Sequence, residues 1–236
     1  MNSPRGSLTS QVMSEGFKQA VAVARKDFRS ELRTRYALNA TGMFVAVVVT
    51  VVVFAIGREE LTPPMIAGLL WVCYFFAGVT GLSRSFVYEQ ERETILLLRI
   101  TLSSTPVYFG KLLFNTTLAL LTNGLIVLLF LIFMSDVSGG SVITICIVTL
   151  LLSLGLAAAL TIVSAIIARA SARGALSAVL AFPIILPLIV LGVDMLGRGA
   201  DGKSLSVMTG ELLMAGAYVV VVVSLSYVLF DLLWKE

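Results

Sequence analysis

Apolar positions along this chain gather into six long runs, at about 38–56, 65–82, 112–134, 142–168, 174–196 and 211–233, with almost no ionisable residue inside them. About 20 apolar residues is the length at which a helix crosses a hydrocarbon core roughly 30 Å thick. The pattern predicts an all-α polytopic membrane protein with six transmembrane helices over residues 38–233. Ahead of them a different period holds. Phe17, Val21, Ala24, Phe28, Leu32 and Tyr36 recur at helical spacing, and Arg25, Arg29 and Arg33 form a basic stripe on another face. Residues 14–37 are therefore expected to form an amphipathic interfacial helix behind a disordered tail at 1–13. Such a helix is either a plain anchor or an elbow that leads into the first span and moves with it. The seven Lys and Arg before Leu38, with no apolar core of their own, do not fit a removable signal peptide.

Composition agrees, since the chain is 58% hydrophobic and only 13% charged, against roughly 25% charged in soluble domains. Charge then sets orientation, because Lys and Arg accumulate on cytoplasmic flanks. Fourteen of the seventeen lie in the N-terminal segment, the second loop, the pair Arg169 and Arg173, and Lys235; only Arg58, Arg198 and Lys203 fall on the other side. Both termini are expected in the cytoplasm. The net charge of +3 suits an anionic lipid surface, and nucleic acid is not an expected partner. Cys73 and Cys146 sit inside apolar runs without CxxC spacing and read as small core hydrophobes.

The second loop, residues 83–111, is the one large polar piece between spans. Glu89, Glu91, Arg92, Glu93 and Thr94 make an acidic stretch, Ile95 to Leu98 with Ile100 and Leu102 supply apolar anchors, and Thr105-Pro106 resembles an N-cap with proline at the first helical position. A short helix across the mouth of the bundle fits this pattern, and a solvated loop is the simpler alternative. In the fifth span Pro183 and Pro187 each remove a backbone donor, so that helix is expected to kink or break. Asn115, Thr116, Thr117, Thr122, Asn123, Ser153, Thr161 and Ser164 are expected to hydrogen-bond between helices, with Ala77/Gly81 and Gly155/Ala159 as close-approach pairs.

Chemistry is conspicuously thin. With no histidine, His-based proton relays, Ser-His-Asp catalysis and the commonest metal sites are disfavoured, and no catalytic or metal-ligating residue is assigned. Asp194 and Asp231 lie at span ends, the latter with Lys235 one turn away, which argues against an ion-coupled carrier. GRGADGKS, Gly197 to Ser204, satisfies the phosphate-loop pattern but joins two spans on the expected outer side. A working loop of that kind follows a strand and opens a helix, so the match is read as chance.

Four segments together resemble the cytochrome c maturation protein B family, also called haem exporter B: KDFRSELRTRYALN (Lys26 to Asn39), LSRSFVYEQERET (Leu82 to Thr94), VYFGKLL (Val107 to Leu113) and LAFPIILPLIV (Leu180 to Val190). The chain departs from the family pattern at Glu93 and at Ile100-Thr101. The resemblance implies an ABC-2-like permease in the bacterial inner membrane, a transport subunit and not an enzyme, with ATP hydrolysed by a separate cytoplasmic ABC ATPase. It further implies a haem-handling membrane partner, a periplasmic haem chaperone, two copies per complex, and the loop at Glu89 to Thr94 as the ATPase-coupling interface. No cofactor is expected to be bound directly; haem is possible cargo, either moved outward or released on a loaded chaperone. Lacking histidine, the subunit lacks the commonest haem ligand. Outside the family, an exporter of a lipid-linked glycan or drug and a non-transporting scaffold are the competing readings.

Overall fold

A computed structural model describes residues 5–56, 61–82, 85–86, 89–90, 94–134, 140–168 and 173–235, with side chains described throughout except at 5–13, 36–37 and 173–178. It is all-helical among these residues, with six helices long and apolar enough to cross a membrane. In chain order the helices are α1 (Arg5–Thr34), α2 (Tyr36–Ile56), α3 (Pro63–Gly81), the short α4 (Thr94–Thr101), α5 (Ser104–Phe133), α6 (Val142–Ala168), α7 (Arg173–Ala200) and α8 (Thr209–Lys235), the last preceded by a 3-10 turn at Leu205–Met208.

Helix α6 is the central post, touching α3, α5, α7 and α8. Its most apolar stretch is 61% buried inside the protein, against 17% for α2 and α8, which form the outside of the bundle. Small residues explain why α6 takes the middle: Gly155, Ala157, Ala158 and Ala159 leave room for neighbouring side chains to reach its backbone. A methyl at Gly155 would stand 2.7 Å from the Leu188 side chain of α7, and one at Gly78 of α3 would stand 2.9 Å from Leu156 and Leu160. Polar residues fix the register. Asn115 donates to Thr161 at 2.8 Å and Asn123 to Ser153 at 2.9 Å, partners eight residues apart on antiparallel α5 and α6. Tyr74 and Thr149 bond across α3 and α6 at 2.8 Å. Asn115, Asn123, Ser153 and Thr161 serve packing between helices, as expected from the sequence, whereas Thr117 donates to the Leu113 carbonyl of its own helix at 2.9 Å.

Four boundaries or contacts differ from the sequence reading. Helix α1 begins at Arg5 and not at residue 14, since nothing between Gly6 and Gly16 interrupts a helical ladder. Helix α5 begins at Ser104, with Ser103 as N-cap, and Pro106 lies within its first turn, where its missing N–H has no intrahelical partner to lose. The apolar stripe of α1 is divided: Ala24 is buried and Phe28 half-buried, whereas Phe17 and Leu32 are 71% and 65% exposed, and the buried face is completed by Ala20 and Val23, which lie off that stripe. Finally, of the kink or break expected at Pro183 and Pro187 the break does not occur, and α7 runs as one helix through both. Those prolines deprive the Val179 and Pro183 carbonyls of their usual amides, and Tyr218 of α8 donates to the adjacent Ile184 carbonyl. A neighbouring helix thus supplies a donor where the proline pair weakens the ladder.

Candidate functional site

Helix α1 ends at Thr34, and Arg35 turns the chain with a positive φ of 53° before α2 begins. Glu31 then accepts a hydrogen bond at 2.9 Å from the Leu38 amide, one of the donors that the first turn of α2 leaves free. So α1 is an elbow joined to the first span by a capped corner. It docks chiefly on α5, not on α2. Gly110 makes this possible, because a side chain there would meet the Ala20 carbonyl and Val23 at 2.7 Å. Phe28 and Phe114 close the contact edge to face, centroids 5.0 Å apart.

Close packing brings charges together out of water. Lys111 of α5, 2% exposed, reaches Asp27 of α1 and Glu89 of the second loop, both at 2.9 Å, and donates to the Ser85 carbonyl at 3.0 Å. Lys26 pairs with Asp27 at 3.3 Å and also bonds to Glu89. Thr94, the first residue of α4, donates to the second Glu89 oxygen at 2.5 Å. The Lys111–Asp27 contact is an ion pair without hydrogen-bond alignment at Asp27 Oδ2. Burial pushes the Glu89 carboxyl up, but the Lys111 charge and the hydrogen bonds from Lys26 and Thr94 outweigh it and hold it at about 2. Burial likewise works against the charged form of Lys26, and Asp27 and Glu89 overcome it, raising its value. Two cations and two carboxylates thus balance, which is the condition under which buried charge is tolerated.

An aromatic column continues from this cluster. The Lys111 ammonium lies 5.4 Å from the Phe86 ring centre, Phe86 packs on Phe230 of α8 at 5.2 Å, and Phe230 packs on Trp234 at 5.3 Å. Arg99 of α4 sits over Trp234 at 5.6 Å and donates to the Leu233 carbonyl at 3.3 Å. Helix α4 is two-faced: Ile95, Leu98 and Arg99 are half-buried against the bundle, and Leu96, Leu97 and Ile100 face out, 62%, 63% and 84% exposed. Helix α4 is thus tied at one end through Thr94 to Glu89, and at the other through Arg99 to Trp234 and the Leu233 carbonyl of α8.

Of the residues singled out in the sequence, Glu89 and Thr94 meet here, but Glu89 points inward, 5% exposed, and offers no docking surface. Its carboxylate is claimed by the buried lysine, whose own desolvation would otherwise go uncompensated. Glu91, Arg92 and Glu93 lie outside the described residues. Arg25, Arg29 and Arg33 form an exposed stripe on α1, and Pro183 and Pro187 sit elsewhere in α7. Sequence reasoning missed Asp27, the burial of Lys111 and the pairing of the half-exposed Lys26 with Glu89. The available signal was Lys111 itself, a lone charge amid the apolar VYFGKLL.

At the other end of the bundle, GRGADGKS follows a helix and not a strand: Gly197 to Ala200 are the last residues of α7, Gly202 turns at φ 76°, and Lys203 pairs with Asp201 at 3.1 Å. A helix C-terminus presents carbonyls and partial negative charge, the opposite of a phosphate cradle. Asp194 pairs with Arg198 and Asp231 with Lys235, at 2.9 and 2.6 Å. Among the described residues no group of three or more His, Cys, Asp or Glu gathers to hold a metal ion.

The family described as CcmB protein matches residues 18–230, nearly the whole chain. No curated protein matches it. Three of the four segments that carried the resemblance, those holding Lys26 and Asp27, Glu89, and Lys111, are the segments that meet in the ion cluster.

Proposed function

The chain belongs to the CcmB family, and from that premise we propose how this multi-pass inner-membrane component of the haem exporter for cytochrome c maturation is driven. A separate cytoplasmic ABC ATPase docks on the outward face of α4, and its closure moves α4 and, through it, α1 and α8. Two copies of the chain share the work, with both termini in the cytoplasm. The observation that carries this reading is the double attachment of α4, through Thr94 to the Glu89 cluster and through Arg99 to the C-terminal turn of α8. A helix held at both ends and apolar on its free face is suited to pass on a push.

Motion of this kind serves release of a haem-loaded chaperone from a partner better than passage of haem through this subunit. Supporting it, the chain has no histidine, and the Nδ2 groups of Asn115 and Asn123 donate to neighbouring helices and not into a path. Changing Leu97 and Ile100 to Asp tests the docking face without touching a packed side chain. The ATPase should no longer co-purify from native membranes while the variant inserts normally. Unchanged co-purification with unchanged cytochrome c yield would overturn the assignment.

A further inference from the structure

Helix α1 has three faces. Ala20, Val23, Ala24 and Asp27 are buried against the bundle. Next round the helix come Phe17, Val21 and Leu32, 71%, 39% and 65% exposed. Beyond these, Arg25, Lys26, Arg29 and Arg33, with Ser30 and Ala22, line a groove of 560 Å³, within the roughly 300–1,000 Å³ of small-molecule sites. Its lining holds four cations and a hydroxyl but no acid, and among the described residues no carboxylate pairs with Arg25, Arg29 or Arg33.

Lys26 already has Asp27 and Glu89 as partners, which leaves Arg25, Arg29 and Arg33 as three like charges that repel one another in the groove unless an anion joins them. Guanidinium groups one turn apart offer paired N–H donors matched to phosphate oxygens. The neighbouring apolar face tells which phosphate: where Phe17, Val21 and Leu32 sink into acyl chains, the arginines beside them stand at headgroup level. We propose that this groove seats the phosphate of one anionic phospholipid per chain. The seat adjoins the ion cluster, because Lys26 lines the groove and also bonds to Glu89. A seated phosphate therefore helps hold α1 in place on α5. The inference depends on membrane insertion alone and stands whether or not α4 docks an ATPase.

The test reconstitutes the full chain in nanodiscs of phosphatidylcholine with or without phosphatidylglycerol, counts retained lipid by native mass spectrometry, and follows thermal unfolding. One phosphatidylglycerol per chain should be retained, with a higher Tm than in neutral discs. Arg29→Gln, whose guanidinium has no partner to lose among the described residues, should cut retention about tenfold or more and remove the Tm gain. Its Tm in neutral discs reports separately that it folds. Lys18→Gln, on the same helix but outside the groove, should leave retention and Tm gain unchanged. Equal losses from Arg29→Gln and Lys18→Gln would show diffuse attraction and overturn the seat. A Tm gain in neutral discs from inorganic phosphate alone would overturn the lipid assignment in favour of a soluble anion.

Discussion

Lys111 is buried to 2% exposure with two carboxylates within 2.9 Å, so its charge is indispensable to them and theirs to it. Lys111→Met leaves Asp27 and Glu89 facing each other with only the half-exposed Lys26 between, a loss of about 3–5 kcal/mol by analogy with broken buried pairs. A clearly lowered Tm in detergent is the expected readout. The pH dependence follows from the direction of each shift. Glu89 is held at about 2 in the folded chain, below the roughly 4.3 of a free glutamate. Its stabilisation is complete above the free value and is lost as pH falls through the folded one. Lys26 is raised, so its contribution is complete below its ordinary value and fades only on the alkaline side. Melting curves taken across the acid range should fall towards the lowest pH in the wild type, and Glu89→Gln should flatten that fall. An identical acid profile in the variant would refute the assignment.

Two contacts between elements decide how the helices move together. At Gly110 the backbone of α5 approaches the Ala20 carbonyl so closely that a methyl would sit 2.7 Å from it, and a carbonyl in a helix cannot swing aside as a side-chain tip can. Gly110→Ala should therefore lift α1 off α5, exposing residues 5–34 to protease while the six spans stay inserted; unaltered cleavage would show that α1 accommodates the methyl. In α7 the proline pair leaves two carbonyls without amides in a helix that nonetheless continues, helped by Tyr218. Such a ladder bends at lower cost than a complete one. Changing both prolines to Leu should give an inserted, ATPase-bound complex with reduced cytochrome c yield. Full assembly with full yield would eliminate a mechanical role for the pair.

For the molecule as a whole, the proposed topology of six crossings puts both chain ends on one side, with the ion cluster, α4 and the end of α8. The basic flanks argue that this side is the cytoplasm. A cysteine at Ser204, which is exposed in the turn after α7, should then react with an impermeant thiol reagent applied from outside. In the same membranes Lys203→Ala should leave cytochrome c production unchanged, because that lysine pairs with its neighbour Asp201 and not with a phosphate. Protection of the cysteine would invert the topology and, with it, the face offered to an ATPase.

Much of this architecture is local, and local structure is legible in sequence. Span lengths follow from apolar runs, because a bilayer demands complete helices of fixed length. The start of α6 at Val142 and its end at Ala168 were both readable in this way. An amphipathic helix follows from a change of period before Leu38, though not its capped corner with the first span, and the phosphate-loop match fails on its flanks alone. What only the tertiary structure decided is where each face turns. Helical spacing puts Ala24 and Phe28 on one stripe with Phe17 and Leu32, but close contact at Gly110 selects which of them meet protein and which are left exposed. Glu89 reads as one of several acidic residues in a polar loop. It becomes a buried ligand of Lys26 and Lys111 because residues 22 and 63 positions away in sequence are brought beside it. Periodicity reports the shape of one helix, whereas the partner of a charge depends on three chain segments meeting, and no single segment carries that information.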